Sequence, residues 1–117
     1  MSLEQLRSYL LGLPGAVEDF PFGPEHLVAK VEGKMFALIA LGEDPLRMNL
    51  KCEPEHAEVL RDYYPAVLPG YHMNKKHWNT LVLDGSIPEV EVRSMIDDSY
   101  RLVVSSLPRR LQQALTR

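Results

Sequence analysis

The side chains best equipped for chemistry here are four histidines, one cysteine and a few lysines set among aromatic and amide residues. His72 and His77 stand five apart, and His56 follows Cys52 by four. Neither interval is a zinc-binding spacing, and a metal site needs three or four convergent ligands. The expectation is no metal ligand, with histidines that are exposed or hydrogen-bonded. Cys52 would be a nucleophile if His56 lowered its pKa, but a partly buried, inert thiol is the commoner state of a lone cysteine. No Gly-rich phosphate loop, paired-carboxylate motif or G-x-S-x-G elbow occurs, and the neighbouring Asp97 and Asp98 fit a solvated helix face. This reading assigns no catalytic residue and no cofactor.

A different chemistry, the neutralisation of phosphate, fits two other stretches. Residues 66–83 contain no Asp or Glu, yet carry His72, Lys75, Lys76 and His77 with Tyr71, Asn74 and Trp78 interleaved. Residues 45–52 are also free of acids and present Arg47, Asn49 and Lys51 at alternate positions. Side by side on a sheet, these stretches would make a positive surface on a chain whose formal charge is −3. Lysine and arginine would neutralise phosphates, Asn49 or Asn74 would reach base edges, and Tyr71 would stack on a base. Trp78 is read differently, as a core anchor whose indole N–H finds a backbone partner. The tail, with Arg101, Arg109, Arg110 and Arg117 and no acid after Asp98, offers a second phosphate contact or simply favourable charge near a helix C-terminus.

Composition bounds these ideas. With 117 residues the chain is one domain, 1–117, able to bury a core without disulfides. An apolar fraction of 45% and a charged fraction of 25% are those of a globular protein. The net negative charge gives no overall attraction to nucleic acid or an anionic membrane, so any such binding must be local. A single cysteine, an N-terminus without a signal-peptide pattern and no long apolar run imply a cytoplasmic protein with no membrane partner.

The elements that must position these residues are legible in outline. Ser2 and Gln5 form a capping box ahead of Leu3, Leu6, Leu10 and Leu13 at helical spacing. A Pro/Gly loop follows, and its Phe20 and Phe22 are expected to pin it to the core. Residues 27–31 and 35–39 read as a hairpin about Glu32-Gly33, and residues 46–51 as a third strand with one polar face. Pro54 opens a second helix that Pro65 stops. Residues 66–68 and 78–83 are the remaining strands. Ser86 and Glu89 read as a second capping box before a long helix with Val92, Ile96, Ser99, Val103 and Leu107 buried. The order α-β-β-β-α-β-β-α predicts a two-layer α+β fold, an antiparallel sheet covered by helices on one side.

The string His72-x-Asn74-Lys75-x-His77-Trp78, with Leu13-Pro14-Gly15-Ala16, residues 48–52, residues 83–88 and Asp97-Asp98-Ser99-Tyr100, closely resembles the MmcQ/YjbR family over essentially the whole chain. The resemblance implies a two-layer α/β fold of the kind found in secretion chaperones and likened to frataxin-type CyaY. Family members are commonly labelled DNA-binding by fold analogy, and the family supplies no catalytic residue set to carry over. Two functions follow as expectations. One is a DNA-binding or regulatory module using Arg47, Asn49, Lys51, Tyr71, His72, Asn74, Lys75, Lys76 and His77. The other is a protein-interaction module, resembling secretion chaperones, that binds no nucleic acid. Neither fixes an oligomeric state.

Overall fold

A computed structural model describes residues 1–70 and 73–116. The element order is α1 (Leu3–Leu11), β1 (Ala16–Asp19), β2 (His26–Val31), β3 (Lys34–Ala40), β4 (Arg47–Lys51), α2 (Pro54–Tyr63), β5 (Val67–Pro69), β6 (Trp78–Val82), α3 (Glu89–Ser105) and α4 (Arg109–Leu115). The strands form one antiparallel sheet in the order β1-β2-β3-β4-β6-β5. The fold is α+β as the sequence predicts, with one strand and one short helix beyond the expected order. β1 is a four-residue edge strand, Ala-Val-Glu-Asp, too short and too weakly β-forming to stand out. α4 is the basic tail, restarted behind Pro108.

Strand register sorts the side chains into two faces, because directly opposed residues in an antiparallel pair point the same way. One row runs Leu27, Ile39, Met48, Leu81, Val67. It joins Leu6 and Leu10 of α1 and Val92, Met95, Ile96 and Val103 of α3 in a single core. The opposite row runs Asp19, Val28, Leu38, Asn49, Thr80, Leu68. The helices contribute to the core on the first face and leave the second as the outer face.

Between Ala29 and Lys30 the register shifts, which leaves Phe36 without a partner on β2. A bulge of this kind re-aims a side chain. Phe36 is fully buried and meets the Tyr100 ring edge-on at 5.3 Å. Ser99, the one polar member of the predicted α3 stripe, serves the same irregularity. Its hydroxyl donates to the Phe36 carbonyl at 2.6 Å and accepts from the Lys51 N–H at 2.8 Å.

The Glu32-Gly33 hairpin forms as expected, with positive φ at both residues (50° and 77°), as a two-residue type I′ turn needs. Two local expectations fail. Ser86 does not cap α3. Its N–H and hydroxyl both donate to Asp84 Oδ1, and Pro88 takes the N-cap position without a side-chain bond. Phe20 and Phe22 do not anchor their loop, being 42% and 64% exposed. Among the described residues no helix is long and apolar enough to cross a membrane.

Candidate nucleic-acid interface

β4 and β6 lie side by side, so Lys51 is directly opposed to Trp78 and Arg47 to Val82. The acid-free stretch thus meets the acid-free strand on the outer face. Backbone bonding fixes the turn that leads into β6. The Asn74 carbonyl accepts from the N–H groups of His77 (3.1 Å) and Trp78 (2.9 Å), and Asn74 Oδ1 accepts from the Lys76 N–H at 3.0 Å. The His77 carbonyl accepts from the Cys52 N–H at 2.8 Å, tying the turn to the end of β4. Arg61, in the last turn of α2, donates Nη1 to the Lys75 carbonyl at 2.9 Å. Across the turn the Gly70 N–H donates to the Trp78 carbonyl at 2.9 Å, and a Cβ on Gly70 would stand 2.8 Å from the Trp78 Cβ. Only glycine permits that approach.

With the backbone occupied in this way, Lys75 and Lys76 are left exposed at the rim of the sheet beside Lys51. Among the described residues no carboxylate forms an ion pair with them. The ion pairs among the described residues are Arg7–Glu18, Lys30–Asp19, Arg93–Glu89 and Arg101–Asp98. None involves Arg47, Lys51, Lys75 or Lys76. On the outer face the strands carry one acid, Asp19, at the far edge. Lys30 holds it at 2.7 Å, and that bond, reinforced by the Phe20 N–H, keeps the Asp19 carboxyl below its usual pKa. The helices hold most of the remaining acids, among them Glu55, Glu58, Asp62, Glu89, Glu91, Asp97 and Asp98.

The structure therefore brings Lys51, Lys75, Lys76 and His77 to one end of the β4–β6 pair. Arg47 lies on the same face but at the other end, four residues or about 13 Å along the strand. Asn49 is a correction. It is 6% exposed and accepts a hydrogen bond from Thr80 Oγ1, the residue directly opposed to it on β6. It cannot reach a base. Asn74 spends its side-chain oxygen bracing the turn. Tyr71 and His72 lie outside the described residues. Trp78 is a second correction, since it belongs to neither the core nor the half-buried shell packed on it. Among the described residues its indole N–H has no partner. Arg61 was not legible as a member of this cluster, since in the sequence it is one helix residue among many. A basic side chain in a last helical turn was the only signal.

A scan against family models matches YjbR over residues 11–102. The chain belongs to the YjbR (MmcQ/YjbR) family. It is 35% identical over 115 residues to uncharacterized protein YjbR of Escherichia coli K12, covering 98% of each chain. It is 39% identical over 110 residues to uncharacterized protein YbdF of Escherichia coli O157:H7, covering 94% of this chain and 90% of the relative. Among solved structures it resembles Deinococcus radiodurans protein DR2400, of domain family DUF419, with TM-score 0.93 at 40% identity over 98% of this chain and 88% of that one. A Pseudomonas syringae protein follows at TM-score 0.76 and 30% identity, over 87% and 98% of the two chains.

Elsewhere in this YjbR-family chain the chemistry is quieter. A groove of about 380 Å³ runs between the start of α2 and the second half of α3, past Cys52, His56, Asp98 and Arg101. Burial first, then the nearby Asp98 and Glu53, push the Cys52 thiol up to about 11. At neutral pH it stays protonated, which is the opposite of nucleophile activation. Among the described residues no three His, Cys, Asp or Glu side chains converge as metal ligands.

Proposed function

We propose that this protein is a cytoplasmic nucleic-acid-binding or regulatory module that docks phosphates at the cationic end of its outer sheet face. The observation that carries the reading is the grouping of Lys51, Lys75 and Lys76 at one rim, with no carboxylate among the described residues paired to any of them. In a chain of net charge −3, such a cationic rim opposite acid-bearing helices is a local polyanion site. Lys51, Lys75 and Lys76 would take phosphates, and Arg47 would extend the track for a longer strand.

Fluorescence anisotropy with labelled DNA, single-stranded and duplex, tests this. Three lysine contacts give an affinity that falls about twenty- to fortyfold between about 50 and 200 mM salt. The double reversal Lys75→Glu/Lys76→Glu should flatten the log–log salt slope to below about 1. No salt-sensitive binding of either DNA form at low ionic strength would remove the proposal.

A second reading, a protein-interaction module, is favoured by the exposure of Phe20 and Phe22 beside the β1 edge. Such binding would depend on those rings and tolerate the lysine reversals, which separates the two readings in one set of variants.

A further inference from the structure

We infer that the nucleic acid this surface takes is single-stranded, with Trp78 as the platform on which one base stacks. The inference rests on the phosphate-docking reading above and adds the strandedness and the stacking residue.

Duplex readers place a helix or a two-stranded ribbon in a major groove about 12 Å wide. The two long helices, α2 and α3, are not suited to that. The exposed sides of α2 and α3 carry Glu55, Glu58, Asp62, Glu89 and Glu91, which a phosphate-lined groove repels. The cations belong instead to the end of a strand and to a turn at the rim of the outer face, where Lys51 and Trp78 are partly exposed and Lys75 and Lys76 exposed, a place that a splayed base can reach. Trp78 lies there directly opposite Lys51. It is partly exposed, outside the core, and its N–H is unbonded among the described residues. A base on the indole would hold its two flanking phosphates between Lys51 on one side and the Lys75–Lys76 turn on the other. Stacking of this kind tolerates any base, so the expected preference is for strandedness rather than sequence.

Trp78 is the chain's one tryptophan, so its emission reports on this position alone. The chain is titrated at low salt with a short oligothymidylate and, separately, with a duplex of equal phosphate count. The expected result is saturable quenching by the single strand and little by the duplex. Trp78→Leu should weaken single-strand affinity about tenfold, the loss of one base–aromatic stack, while Trp78→Phe keeps most of it. Should Trp78→Leu fail to fold, wild-type quenching and the Phe variant decide. Equal affinity for both forms with unchanged emission overturns the single-strand inference and leaves the phosphate-docking surface standing. Absence of binding to either form removes both.

Discussion

On the helix-covered face of the sheet, the Ser99 hydroxyl bridges the Phe36 carbonyl and the Lys51 N–H, and Phe36 meets the Tyr100 ring edge-on. On the outer face Lys51 and Trp78 sit directly opposed, and among the described residues neither side chain has a partner. The same strand, β4, borders both environments. Its Met48 and Leu50 are set by packing, whereas among the described residues its Lys51 amine makes no ion pair. The lesson is that a polar residue's surroundings, more than its type, separate scaffold from candidate surface. Asn49 makes the point, being as polar as Lys51 in the sequence yet committed to Thr80 in the fold.

This contrast predicts opposite phenotypes from substitutions on the two faces. The largest effect on stability should come from Ser99→Ala, which removes the buried hydroxyl that bridges the Phe36 carbonyl and the Lys51 N–H. We expect a loss of about 2–3 kcal/mol in urea unfolding, with DNA affinity of the folded fraction unchanged. The lysine reversal should do the converse, moving stability by no more than about 0.5 kcal/mol while removing most salt-dependent binding. A variant that did both would break the contrast. The smallest effect belongs to the hairpin tip, away from the cationic rim. Glu32 holds a left-handed conformation at φ 50°, which asparagine tolerates better. Glu32→Asn should raise stability by roughly 0.5–1 kcal/mol in thermal unfolding and leave binding untouched.

Much of this architecture was readable before the fold was known. Helical spacing of Leu3, Leu6 and Leu10, the Glu32-Gly33 turn and the alternation of Arg47, Asn49 and Lys51 each depend on neighbours a few residues away. They reappear in α1, the β2–β3 hairpin and β4. What escaped depends on partners distant in sequence. Phe36 sits at a bulge that only the β2–β3 register reveals, and Ser99 owes its role to that bulge 63 residues away. Trp78 reads as a core residue from its size, but register with Lys51 puts it on the outer face. Ser86 and Glu89 carry a capping-box spacing, yet the Asp84 carboxylate, two residues before Ser86, captures the serine first. For the site, the lysines and the acid-free stretches were legible as charge. That Asn49 is enclosed and that Arg61 reaches the Lys75 carbonyl were not, since neither follows from local spacing.

The most direct test is to map backbone amide shifts by NMR while single-stranded DNA is added. If phosphates dock where three amines gather without counter-charges, perturbations will concentrate at Lys51 and at Lys75 through Trp78, fading toward Arg47. Shifts spread over the exposed sides of α2 and α3, or confined to the Phe20–Phe22 loop, would contradict that assignment of the binding surface.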